Sequence, residues 1–136
     1  MKFVFLVHSL RKGGAERLVV ELASSAKFLG VSIIIVSWLD NMEYLEEKYA
    51  EIEFISILKE SDYKWIFSLR SSAKELNNIL DQISPNCIFI FSHSVLWLAA
   101  VARFRTRYVN VILGFSQISK GRGLKKIIFR PIDILI

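Results

Sequence analysis

Apolar and polar positions along the chain change rhythm several times, and each change marks an element. Lys2 to Val7 is a short β-branched and aromatic run, which reads as a buried strand. Ser9 to Gly14 is a loop with two consecutive glycines. Ala15, Leu18, Val19, Leu22, Ala23, Ala26 and Leu29 then follow the three-and-four spacing of an amphipathic helix. Gly30 closes it, because a C-terminal cap needs a residue that tolerates the left-handed conformation. Val31 to Trp38 is apolar on both faces apart from Ser32 and Ser37. A strand buried on both faces implies a parallel sheet covered by helices.

The alternation continues. Asp40 to Glu51 is an acidic loop or short helix, and Glu53 to Leu58 is a third, weaker strand. Trp65 to Ile83 repeats apolar residues at helical spacing, with Pro85 just beyond its end. Cys87 to Phe91 predicts a fourth strand, Val95 to Phe104 a short apolar helix, and Tyr108 to Leu113 a fifth strand. Gly114 to Gly123 reads as a polar loop, Leu124 to Phe129 as a short helix, and Ile132 to Ile136 as the start of a sixth strand. Strands alternating with helices mean an α/β, Rossmann-like three-layer sandwich with a mostly parallel sheet. Residues 1–136 are expected to form one domain, and a chain that stops inside a strand suggests a truncated one.

Composition narrows the class. The 136 residues are 53% hydrophobic and 23% charged, which excludes disorder as the main state. Mean hydropathy is +0.40. One cysteine, Cys87, excludes a disulfide scaffold and a cysteine-based zinc site, and agrees with a cytoplasmic location. No apolar run reaches the roughly 18 residues a membrane span needs. The apolar start, Met1 to Val7, is too short for a signal peptide.

Charge is uneven. Residues 1–81 carry 10 Lys and Arg against 12 Asp and Glu, whereas residues 82–136 carry 8 against one acid, Asp133. A basic half suits an anionic partner, or serves simply as a solvated face.

In an open parallel sheet, ligands bind beyond the carboxyl ends of the strands. Gly13 and Gly14 open a helix there. Backbone N–H groups at a helix N-terminus favour an anion, and Arg11 and Lys12 add charge beside them. Neither a P-loop nor a dinucleotide fingerprint is present, so the turn also reads as a plain tight turn. His8 and His93 both fall at this edge, each able to bind a ligand or to be structural. Cys87 is expected to be a small core residue, and Trp65 and Trp97 to lie in the core or at an interface.

The run His8-Ser9-Leu10-Arg11-Lys12-Gly13-Gly14-Ala15-Glu16-Arg17, followed by Val19-Val20-Glu21-Leu22-Ala23, resembles the first strand–loop–helix of family 4 GT-B glycosyltransferases. Pro85 to Ser94 is similar to the Pro-Asp-hydrophobic-His-x-His segment of that family. Gly114-Phe115 looks like its His-Gly turn, and Pro131 to Ile136 like its Ala-Asp-x-Ile-Ile strand. The resemblance implies the N-terminal, acceptor-side half of a two-domain retaining enzyme with its active site in the cleft between domains. It implies that Gly13 and Gly14 face the donor phosphate, beside Arg11 and Lys12 as further phosphate candidates, and that His93 and Ser94 line the cleft, with His8 and Gly114 as further cleft candidates. It implies a nucleotide sugar as co-substrate, no metal or other cofactor, and a glycan or lipid-linked acceptor in surface-polysaccharide synthesis.

The departures are Asn86 for Asp, Phe91 for the first His of His-x-His, and Leu113 where the family often has histidine. The resemblance places Glu-x7-Glu in a second domain beyond these 136 residues, so the chain alone is expected not to transfer sugar, and a second polypeptide is an expected partner. Lys120, Arg122, Lys125, Lys126 and Arg130 are candidates to face an anionic membrane, placing the protein peripherally at its inner face. The competing reading is a non-catalytic Rossmann-like module that binds phosphate, nucleotide or protein. Specific nucleic-acid binding is not expected, since no recognised motif supports it.

Overall fold

The computed structural model describes residues 1–43, 49–102 and 109–112. The elements are β1 (Lys2–Val7), α1 (Gly14–Lys27), β2 (Ser32–Leu39), β3 (Glu53–Leu58), α2 (Trp65–Ile83), β4 (Cys87–Ile90), α3 (His93–Ala102) and β5 (Val109–Ile112). A single 3-10 turn, Glu60–Asp62, joins β3 to α2. Among the described residues, five strands form one sheet in the order β3-β2-β1-β4-β5, and every pairing is parallel. The architecture is α/β and Rossmann-like. The elements expected at Gly114 to Gly123, Leu124 to Phe129 and Ile132 to Ile136 lie outside the described residues.

Local chemistry explains the boundaries. Gly13 caps α1 in extended backbone, Glu16 lies in its positive first turn and Lys27 in its negative last turn. Gly30 sits at φ 71°, in the left-handed region expected for it. The N–H of Gly30 reaches Lys27 O at 3.0 Å and that of Val31 reaches Ala26 O at 3.2 Å. This pair of bonds is a Schellman closure. At the end of α2, Ser84 adopts φ 49° and its N–H bonds Leu80 O at 2.8 Å. Pro85 then prevents continuation. The helix expected from Val95 begins two residues earlier, after Ser92, whose carbonyl accepts the Leu96 N–H at 3.2 Å.

Strand alternation sends side chains to two cores. One face, under α2 and α3, buries Val4, Leu6, Val36, Trp38, Leu76 and Leu98 among others. The opposite face, under α1, buries Phe5, Val7, Val19, Val20, Ile35 and Phe91. Phe5 meets Phe89 edge-on at 5.4 Å and Phe91 at 5.0 Å. Phe91, one of the departures from the family pattern, is thus a core residue. Asn86, another, clamps the start of β1: its Oδ1 accepts the Lys2 N–H at 2.8 Å and its own N–H reaches Lys2 O at 2.8 Å.

Two expectations need correction, and a third is narrowed. Leu18, Leu22 and Leu29 are exposed, because α1 turns Val19, Val20 and Ala23 inward instead. Of the core and interface positions open to Trp65 and Trp97, the core is excluded, since both are exposed. Cys87 is only partly buried, at the first residue of β4.

Candidate functional site

The strand order reverses between β1 and β4. From β1 the chain moves through α1 to β2 on one side, whereas from β4 it moves through α3 to β5 on the other. A reversal opens a crevice beyond the carboxyl ends of the two strands. Here the loop His8–Gly13 leaves β1 and Phe91–Ser92 leaves β4, and each leads into a helix. The N-termini of α1 and α3 therefore flank one crevice. First-turn N–H groups have no acceptor within their own helix, so two positive helix ends favour an anion there.

The glycine turn is occupied in a specific way. The Glu16 carboxylate folds back over Gly13, where an added Cβ would collide with it. A Cβ on Gly14 would meet nothing within 4 Å. An anion arriving at the turn thus meets a side chain that can swing away, and Gly14 borders open space.

The loop is held by acids. Leu10 bridges to Met42, with Leu10 N–H to Asn41 O at 2.9 Å and Glu43 N–H to Leu10 O at 3.0 Å. The Lys12 N–H bonds the Glu43 carboxylate at 3.0 Å. Arg11 forms an ion pair with Glu60, which also accepts from Asn41 Nδ2 at 2.8 Å. The Glu60 N–H in turn reaches Asp40 Oδ1 at 2.8 Å. Arg11 is therefore a strut of the loop as well as a charge near the crevice. These acids are 31 and 49 residues from their partners, a distance no local pattern spans.

His8 stands at the end of β1 on the α2–α3 face. Its ring is edge-to-face with Trp38 at 5.6 Å and with Tyr63 at 5.8 Å, and those two meet edge-to-face at 5.3 Å. Trp38 is fully buried and its indole N–H donates to Ser72 Oγ at 2.9 Å. Burial pushes the His8 imidazole below its ordinary 6.5; Arg11 lowers it further and Glu16 opposes. The imidazole is consequently neutral at pH 7. Its Nδ1 is buried without a hydrogen-bond partner, a cost that a ligand or water would relieve. Burial also raises the Tyr63 phenol above its ordinary 10. The roles of Trp38 and Tyr63 were not expected from sequence. Alternation between paired strands places Trp38 beside His8, but Tyr63 joins only through the packing of the β3–α2 connection.

Across the crevice, Ser92 Oγ and Ser94 Oγ lie 3.2 Å apart at the start of α3. His93 is the first residue of that helix. Gly114, Lys120, Arg122, Lys125, Lys126 and Arg130 lie outside the described residues. The structure thus brings His8, Gly13, Gly14, Ser94 and the His93 backbone to one edge. Hydroxyls, a neutral imidazole and aromatic edges suit a polyhydroxylated ligand, and the two helix ends suit its phosphate. Among the described residues no helix is long and apolar enough to cross a membrane.

No family model matches the chain, and no curated protein matches it. A glycosyltransferase from Rickettsia africae ESF-5 matches in structure with a TM-score of 0.62 and 23% identity. The match covers 82% of this chain and 28% of that one. A universal stress protein family member from Burkholderia pseudomallei matches at 10% identity over 80% of this chain and 94% of its own, but its TM-score of 0.39 carries no argument. The chain has a glycosyltransferase-like, Rossmann-type fold, and spans little more than a quarter of the glycosyltransferase it matches.

Proposed function

We propose that this chain is the acceptor-side, N-terminal domain of a retaining family 4 GT-B glycosyltransferase. In this reading it helps move a sugar from a nucleotide-sugar donor to a glycan or lipid-linked acceptor in surface-polysaccharide synthesis. The observation that carries the reading is the switch-point crevice of a glycosyltransferase-like fold, flanked by the Gly13-Gly14 turn on one side and Ser92 to Ser94 on the other. Gly13 and Gly14 would meet the donor diphosphate once Glu16 swings aside. His8 and Ser94 would hydrogen-bond acceptor hydroxyls, and His93 would line the same cleft. A second domain, on this or another polypeptide, would hold the nucleotide sugar, so the 136 residues alone are expected to bind rather than turn over. Lys120, Arg122, Lys125, Lys126 and Arg130 would face anionic headgroups beside the acceptor.

Uridine diphosphate is the probe for the turn. It should raise the melting temperature of the chain, and Gly14→Asp should abolish that rise by placing a carboxylate at the anion seat. A Cβ at Gly14 would have no atom within 4 Å, so the variant should fold. An equal rise in the Gly14→Asp variant would remove the turn from the reading. Sugar transfer by the purified chain would refute the division of labour between domains. Nucleotide binding with no effect of any added glycan would favour the non-catalytic module instead.

A further inference from the structure

β3 lies at one edge of the sheet, and that edge is open. Among the described residues the strand pairs only with β2. One bond shows which way its backbone points: the Leu58 carbonyl accepts the Asp40 N–H at 3.0 Å, from the β2 side. Successive residues of a strand turn their N–H and C=O groups to opposite edges. Phe54 and Ser56 therefore also bond toward β2, whereas Glu53, Ile55 and Ile57 point theirs outward. Among the described residues none of those three has a backbone bond outside the strand ladder. Lys59 is still extended, at φ −68° and ψ 139°, so its N–H joins the outward set, while its carbonyl takes the Asp62 N–H at 3.0 Å.

Such an edge is a template for another strand, and proteins blunt it with an internal lysine or proline or with a bulge. The strand Glu53-Phe54-Ile55-Ser56-Ile57-Leu58 has no Lys or Pro, and its register with β2 carries from Glu53 to Leu58 with no bulge. Glu53, Ser56 and Lys59 are exposed, so the edge is within reach of a partner.

The strand is complementary to itself. A two-fold axis normal to a sheet brings two identical edges together antiparallel, with directly opposed side chains on one face. With the axis at Ser56, Glu53 of one copy lies opposite Lys59 of the other, Ile55 opposite Ile57, and Ser56 opposite Ser56. The outward-pointing residues then meet one another, as an antiparallel ladder requires. Opposite charges meet at both ends of the contact. Among the described residues neither Glu53 nor Lys59 has an ion-pair partner, while the neighbouring acids Glu51 and Glu60 are taken by Lys27 and Arg11. An axis at Ile55 would instead set the Glu53 carboxylate against Ile57. Symmetry thus supplies both charges and a matched apolar pair from one sequence, which singles out a second copy as the occupant.

We propose that this chain forms a two-fold dimer through β3, pairing antiparallel with β3 of a second copy about Ser56. Two five-stranded sheets become one continuous sheet. Because the two copies run in opposite directions, their crevices open toward opposite ends of it. The pairing does not rest on the glycosyltransferase reading.

Sedimentation equilibrium of the full chain should show a monomer–dimer equilibrium. Lys59→Glu sets acid against acid at both ends of the contact and should weaken dimerisation about tenfold. Glu53→Lys combined with Lys59→Glu should restore it. Within one copy these residues lie six positions apart along extended backbone and cannot meet, so that rescue reads the contact between copies. In a Cys87→Ser background, Ser56→Cys should form a disulfide between copies, since a directly opposed, non-hydrogen-bonded pair sits about 4.5 Å apart at Cα. Circular dichroism should show the β3 variants folded, because the substituted side chains are exposed. A chain that stays monomeric overturns the proposal. So does a dimer indifferent to Lys59→Glu, one that the double reversal fails to rescue, or one without the Ser56→Cys crosslink. A dimer lost in Phe67→Ser but kept in the β3 variants would assign the contact to the exposed start of α2 instead.

Discussion

The two helix layers of this protein do different work with similar material. Among the described residues, the α1 layer covers one face of the sheet with a single helix whose inward residues are Val19, Val20 and Ala23, above an aromatic floor of Phe5, Phe89 and Phe91. Its exterior mixes Glu16, Arg17, Glu21 and Lys27. The α2–α3 layer covers the other face with two helices over an aliphatic floor, and that floor ends at the carboxyl edge in His8, Trp38 and Tyr63. Its exterior from Tyr63 to Lys74 carries three cations and no acid, with Glu75 and Asp81 further along α2. A sheet face closed by aromatic packing is finished as a structure. A face whose floor ends in a buried, unpartnered imidazole nitrogen, under an apolar basic exterior, is arranged to meet something else.

The comparison breaks first at Trp38. If the α2–α3 floor depends on it, Trp38→Ala should cost about 3–5 kcal/mol in urea unfolding. A loss under 1 kcal/mol would mean that the trio is not packed as described. Ser72→Ala is more selective. It leaves the Trp38 indole N–H buried without an acceptor, and should cost about 1–3 kcal/mol.

The His8 imidazole gives a pH signature that the α1 layer has no counterpart for. Its folded-state pKa lies below the ordinary 6.5, so between those values the unfolded chain binds the extra proton. Stability should therefore be full above pH 6.5, fall as pH drops below it, and level off beneath the lowered pKa. His8→Asn should flatten that slope between pH 7.5 and 5.5 in urea midpoints. An unchanged slope would place the imidazole in water.

The smallest effects belong to the surface pairs. Lys27→Ala, on the α1 side, should change stability by less than about 1 kcal/mol, since both partners are exposed. Arg11→Ala should cost more than Lys27→Ala, because Glu60 also binds Asn41 and its own N–H is held by Asp40. Equal losses would mean that the loop network adds nothing to the pair.

Much of the fold was legible because its periods are clean. β1, β3 and α2 have the bounds read from the sequence, and Gly30 caps α1 as a left-handed glycine. The start of α3 was misread by two residues, since apolar periodicity begins at Val95 while Ser92 and Ser94 already shape the turn. The exposure of Leu18, Leu22 and Trp65 was not legible. Hydrophobicity identifies an apolar side chain but not which side of its helix the sheet will claim. At the crevice, the glycine turn and His8 could be seen in the chain. The acids Glu43 and Glu60 and the ring of Tyr63 could not, because tertiary packing alone brings them to the β1 loop.

The most direct test of the central claim is a backbone amide map of the chain titrated with uridine diphosphate. The account predicts shifts concentrated at Gly13, Gly14, Ala15, Ser92 and Ser94, where α1 and α3 begin on either side of the strand reversal. Shifts centred instead at Gly30 to Ile33, at the opposite edge of the sheet, would contradict it, as would no shift at the glycine turn.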